Sequence, residues 1–131
     1  MDALIHLDTH VIVWLFAGDL DRLSDAARQW IERASLVISP MVELELQYLH
    51  EIGRTSRPGR EVVADLATRL GLTRSTASFA DIAERAASLA WTRDPFDRII
   101  VASALADGCP LLTKDDNIRQ HFTAAVWESV G

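Results

Sequence analysis

Cysteine is nearly missing from this chain. Cys109 stands alone among 131 residues, so no internal disulfide can form. A reducing cytoplasm is the expected compartment, and Cys109 reads as a small core residue and not a nucleophile. Positive charge is also scarce: 13 lysines and arginines face 19 acids, for a formal net charge of −6. That excludes a protein that coats nucleic acid through bulk charge. It leaves open a nucleic-acid enzyme whose acidic site is neutralised by metal. The apolar stretch 3–17 lacks a basic leader and is interrupted by His6, Asp8 and His10, so neither export nor a membrane span is expected. There is no repeat, no glycine-rich phosphate loop, no paired CxxC and no Ser/His/Asp arrangement. The missing Cys/His cluster excludes a zinc centre.

What is present alternates. Short apolar runs at 4–7, 36–39 and 110–113 read as buried strands, with 125–127 as an edge strand. Helix signals lie between them. Residues 10–17 make a first helix closed by Gly18, and Ser24 caps a second reaching about Ala34. Pro40 takes a first helical position, and Gly53 closes that helix. After the turn RTSRPGR, a helix from about Arg60 to Leu70 stops at Gly71. Ser78 and Asp81 approximate a capping box for a helix reaching Trp91. Asp94-Pro95 opens another that ends at Gly108, and 116–122 is a short last helix. Apolar strands separated by helices predict a short parallel sheet within a three-layer α/β/α sandwich. Residues 1–131 are expected to form one domain, with the helix-rich stretch 40–91 elaborating one side of the sheet.

Ligands of open parallel sheets bind beyond the carboxyl ends of the strands, where Asp8 and Asp115 fall. Each could instead cap a helix. One of Asp115 and Asp116 is expected to do so, whereas Thr9 could cap in place of Asp8. Glu45 has Met41, Val42, Tyr48 and Leu49 as its helical neighbours, a mainly apolar face on which a charge needs a partner or a metal. Glu43, among Ser39, Pro40, Leu46 and Gln47, reads as solvated. Asp97 lies in a first turn on the side of Ile100 and Val101, although the helix dipole offers it a purely stabilising role. Asp94 is a good N-cap, Arg98 is expected to face solvent or Asp94, and Asp107 reads as a surface residue. His6, His10, His50 and His121 are scattered and read as structural. Convergence of Asp8, Glu45, Asp97 and Asp115 requires a cation. An oxygen-only set suits Mg2+ or Mn2+, which polarise a phosphodiester and activate water.

The segments LDTHVIVWL, ISPMVELELQYLHEIGR, RDPFDRIIVASA and LLTKDDNI, in that order from Leu4 to about Trp127, resemble successive motifs of PIN-domain ribonucleases, in particular the toxin halves of VapBC toxin–antitoxin pairs. The resemblance implies a PIN-like α/β/α sandwich and a Mg2+- or Mn2+-dependent endoribonuclease. It puts the catalytic and metal-holding roles on Asp8, Glu45, Asp97 and Asp115. Its Thr-x-Asp spacing selects Asp115 over Asp116 and gives Thr113 a hydroxyl able to orient it, with Asp94 and Asp116 as supporting positions. The implied partners are RNA, a VapB-type antitoxin and a second copy in a homodimer, with no membrane. RNA would approach along Arg54, Arg57 and Arg60 in one turn and Arg93 and Arg98 beside the site. Trp14, Leu15 and Tyr48 are candidate antitoxin contacts. A dehalogenase-type phosphatase would need a second acid where His10 stands. A receiver could use Lys114 but lacks an acidic pair after the first strand and a phosphoacceptor aspartate on a middle strand. A receiver-like or degenerate PIN scaffold is the non-enzymatic alternative.

Overall fold

In the computed structural model, which describes residues 3–128, five parallel strands form one sheet. They are β1 (Leu4–Leu7), β2 (Ser35–Ile38), β3 (Thr73–Arg74), β4 (Leu111–Leu112) and β5 (Ala125–Val126), in the spatial order β3-β2-β1-β4-β5. Ile5, His6 and Leu7 are all buried, as are Leu36, Val37, Ile38, Leu111 and Leu112. Both faces of the middle strands are therefore covered, which is why their sequences do not alternate.

Seven helices supply the cover: α1 (Thr9–Ala17), α2 (Asp25–Arg33), α3 (Pro40–Glu51), α4 (Gly59–Leu70), α5 (Phe79–Ala87), α6 (Pro95–Asp107) and α7 (Asp116–His121). The chain steps from β1 to β2 to β3 in one direction, then crosses back to β4 and β5. Right-handed crossovers put α1 to α4 on one face and α5 to α7 on the other. In the packing, α1, α3 and α4 are in mutual contact and α5 lies against α6, while α3 also meets α6. The winding reverses between β1 and β4, and a doubly wound sheet opens its ligand crevice at such a point. A receiver would have the strand order 2-1-3-4-5, so the topology removes that alternative.

Local chemistry sets the ends of these elements. The side chains of Ser24, Ser39 and Ser78 accept hydrogen bonds from the backbone N–H of Ala27, Met41 and Asp81, satisfying helix donors that have no partner within the helix. Gly108 ends α6 at φ 65°, a conformation that favours glycine, and turns the chain into β4. Gly59 has a different reason. A Cβ there would lie 2.5 Å from the Glu43 carbonyl oxygen and 2.9 Å from the Gln47 amide nitrogen. Glycine thus lets α4 start directly against α3.

Two expectations need correction. The stretch 40–91 is not three helices on one side, because β3 joins the sheet beside β2 and α5 lies across the sheet against α6. Both β3 side chains are exposed, and two residues on an edge give no alternation to read. Helix α5 also ends at Ala87, short of Trp91. There the Ser88 hydroxyl donates back to the Arg85 carbonyl at 2.9 Å, offering the backbone an alternative to another turn. A short 3-10 turn, Leu20–Arg22, lies between α1 and α2.

Candidate active site

At the reversal point Asp8 directly follows β1, and β4 runs on to Thr113 and Asp115. Asp8 is only 4% exposed. Its Oδ1 accepts from the Thr9 amide at 2.8 Å, capping α1, and its Oδ2 accepts from the Thr113 hydroxyl at 2.6 Å. Thr9 does not cap the helix. Its hydroxyl reaches α3 and donates to Glu45 Oε1 at 2.5 Å. Asp115 caps α7 through the Ile118 amide at 2.9 Å. Asp94 caps α6 through the Phe96 amide at 2.8 Å, which leaves Asp97 one turn in. The aspartates of this region thus combine capping with placement at strand and helix ends.

Asp8, Glu45, Asp94, Asp97 and Asp115 all line one open pocket of about 380 Å³. Asp116 does not. It is exposed on the far side of α7, 3.7 Å from Arg119. Thr113 is buried and orients Asp8 directly, while accepting from the Asp115 amide at 3.1 Å.

Electrostatics register the crowding. Burial, followed by repulsion from Asp94, Asp8, Asp115 and Glu45, pushes the Asp97 carboxyl up to about 7. Burial also raises Glu45, with Asp8 and Asp94 adding to the rise and the Thr9 hydrogen bond opposing it. Without a cation the cluster therefore retains protons. The donor set is oxygen only, partly open and rich in like charge, so it fits a hard divalent cation.

His10 was read as structural, yet it lines the pocket. Its Nε2 accepts from the Lys114 amide at 2.8 Å, and its Nδ1 lies 3.6 Å from Asp8 Oδ2. The ring proton therefore belongs on Nδ1, facing the aspartate. Burial lowers its pKa despite Asp8 and Asp115, so the ring is neutral near pH 7. Trp14 forms part of the same wall, its ring centroid 5.0 Å from that of His10. Nothing in the spacing of α1 announced either role, because both positions also suit a core.

The other expected contacts separate. Arg54 lines the pocket, but Arg60 lines a different groove with Glu43 and Leu44. Arg93 and Arg98 donate to the carbonyls of Ala90 and Thr92 at 3.1 and 2.8 Å, bracing the loop before α6. Leu15 is core and Tyr48 is exposed. Asp107 is not a free surface acid. His6, fully buried, donates to it from Nε2 at 2.7 Å, and Ser75 donates to the same oxygen at 2.7 Å. Burial alone would raise the Asp107 carboxyl, but these hydrogen bonds outweigh it and hold it low. Ligand-type atoms of His6, Asp107 and Cys109 lie within 4.8 Å of one another. Burial pushes the Cys109 thiol up to about 11, which keeps it protonated. This group is a structural network away from the acidic pocket.

The family model described as "PIN domain" matches residues 5–121. Ribonuclease VapC22 of Mycobacterium tuberculosis is 36% identical over 121 residues, covering 88% of this chain and 89% of that protein. Among solved structures, VapBC2 from Rickettsia felis, bound to a DNA fragment from their promoter, aligns with a TM-score of 0.68 at 18% identity. It covers 95% of this chain and 99% of the matched one. A toxin–antitoxin complex from Klebsiella pneumoniae aligns with a TM-score of 0.64 at 23% identity, covering 95% of each chain. These two likenesses concern the fold alone.

Proposed function

Since the chain belongs to the PIN domain family, we propose that it is a metal-dependent endoribonuclease and the toxin of a toxin–antitoxin pair. The observation that carries this reading is the pocket in which Asp8, Glu45, Asp97 and Asp115 face one another, with Asp97 raised to about 7. These residues would hold Mg2+ or Mn2+, and Asp94 stands beside them. A divalent cation there supplies polarisation of the phosphodiester and a lowered pKa for the attacking water. The chain's own residues do the rest. Thr113 and the Thr9 amide hold the Asp8 carboxylate in one orientation, Thr9 turns Glu45 inward, and the Asp94 cap sets the first turn that presents Asp97. The chain works as one domain, and among its described residues no helix is long and apolar enough to cross a membrane.

RNA is the favoured substrate because the relative at 36% identity is a ribonuclease. Single-stranded or looped RNA suits an open pocket, since its backbone is accessible there. For an antitoxin, an apolar pocket of about 200 Å³ shares Val13, Arg54 and Thr55 with the acidic one. A partner segment could anchor an apolar side chain there and send an arginine to the carboxylates, which guanidinium binds bidentately. The homodimer implied by the family has an apolar row available on α3 and its C-cap, where Leu44, Tyr48 and Ile52 are 57%, 49% and 51% exposed. Light scattering tests that state.

The test of activity is cleavage of a mixed RNA pool with Mg2+, with Mn2+, with EDTA, and by Asp8→Asn. Metal-dependent products from the wild type alone support the reading. No cleavage with either metal, together with harmless expression, overturns it. Relief of growth arrest by a co-expressed neighbouring small reading frame identifies the partner.

A further inference from the structure

The chain contains a single lysine, Lys114, and it stands between Thr113 and Asp115. Its backbone N–H is tied to His10, and its side chain is exposed, with Nζ 5.9 Å from the centroid of the Trp14 ring. His10, Trp14 and Asp115 all line the acidic pocket, so the ammonium sits at the rim. Two acids follow it in sequence, yet among the described residues Lys114 makes no ion pair. Arg22 also lies over Trp14, 5.7 Å from the ring centroid, but Asp19 neutralises it at 2.8 Å.

This arrangement solves an electrostatic problem. A flexible ammonium beside a carboxylate cluster would fall into it and compete with the metal. The indole face offers the ammonium a rival attraction through its ring quadrupole. The neighbouring wall of His10, Trp14 and Trp127, with centroids 5.0 to 6.3 Å apart, keeps that face in place. What remains is an unpaired point charge with three donors, the chemistry that suits a phosphate oxygen.

We propose that Lys114, held over Trp14 at the rim of the acidic pocket, is a substrate-phosphate anchor that binds a backbone phosphate of RNA beside the one cut. The proposal rests on the ribonuclease reading. It makes Lys114 a binding residue that offsets, at one place, the repulsion between an acidic protein and a polyanion.

The experiment measures binding of a labelled single-stranded RNA of mixed sequence by anisotropy at several salt concentrations. The Asp97→Asn background removes cleavage. Adding Lys114→Gln should weaken binding and reduce the slope of log affinity against log salt by about 0.7, the loss of one single-strand phosphate contact. Lys114→Arg should keep the slope. Arg33→Gln removes the same charge just before β2, at the opposite end of the sheet, and should change nothing. An unchanged slope with Lys114→Gln overturns the anchor, as does an equal drop with Arg33→Gln, which would mean bulk charge. No RNA binding in the Asp97→Asn background also overturns it. Metal-dependent cleavage by the wild type is scored separately, so the anchor can fail while the ribonuclease reading stands.

Discussion

Thr113 and Asp8 are 105 residues apart in sequence, and the hydroxyl of one donates to Oδ2 of the other at 2.6 Å across the seam between β4 and β1. Both are buried, so this bond is shielded from water and fixes one rotamer of the aspartate. Thr113→Val keeps the shape and removes the donor. It should cost about 1–3 kcal/mol, the penalty for an unsatisfied buried group. Apparent Mn2+ affinity should fall by about 10–100-fold, as it does when the partner of a ligand is lost. Denaturant melts and calorimetric titration measure the two effects.

Asp97 makes the metal-free protein pH-sensitive. Its carboxyl titrates near 7 when folded, against a usual value of 3.8. The folded state therefore holds the extra proton between those values, and stability falls as pH rises through that window. Buried His6 works in the opposite sense, because its lowered pKa makes stability rise with pH up to its ordinary value. The difference between wild type and Asp97→Asn isolates the aspartate. The variant should be more stable above pH 7 by roughly 1 kcal/mol after solvent screening, and Mg2+ should no longer raise its melting temperature by linkage.

The two glutamates of α3 should part company. Glu45→Gln should abolish most RNA cleavage while leaving the fold intact. Glu43 instead pairs with Arg74 at 2.5 Å at the surface, an interaction worth about 0–1 kcal/mol. Glu43→Gln should cut RNA like the wild type. Equal losses of kcat in the two variants would reverse the assignment.

Asp107→Ala removes the partner of the His6 imidazole, whose Nδ1 already lacks one. A loss of about 1–3 kcal/mol is expected, with kcat unchanged because the network lies away from the pocket. A drop in kcat at full folding would tie the network to the chemistry.

Gly59→Ala drives a methyl into the backbone of α3 and should destabilise by about 1–3 kcal/mol. Gly18→Ala has open space around its Cβ and suffers only from its positive φ, so chemical denaturation should rank it the milder.

The buried strands and most helix ends were legible because each has a local cause, while the end of α5 was not. Buried strands lose their polar residues, and Ser24, Pro40, Asp94 and Gly108 mark their helices by chemistry that acts within a turn. Strand β3 was not legible, since Thr73 and Arg74 are exposed and join the sheet only because β2 offers an edge. The gathering of Asp8, Glu45, Asp97 and Asp115 could be read from strand ends and helix faces. The division between Asp115 and Asp116 needed the Thr-x-Asp spacing. Pairing of Asp107 with buried His6 and the use of Thr9 on Glu45 depend on how α6 and α3 settle on the sheet, which no local pattern encodes. His10 and Trp14 were hidden because a residue lining a pocket wall and a residue lining a core have the same sequence signature.

The seam between β1 and β4 also sets a schedule. His6 pairs with Leu111, so a growing polypeptide leaving the ribosome makes one half of the pocket early, and the other half arrives 105 residues later, from Asp8 to Thr113. The intervening segments can collapse and wind their helices meanwhile, but closing so long a loop comes last and is slow. Whatever chemistry the pocket performs is postponed until synthesis has passed Asp115. A polypeptide abandoned before Leu111 has neither Thr113 nor Asp115 to complete the pocket.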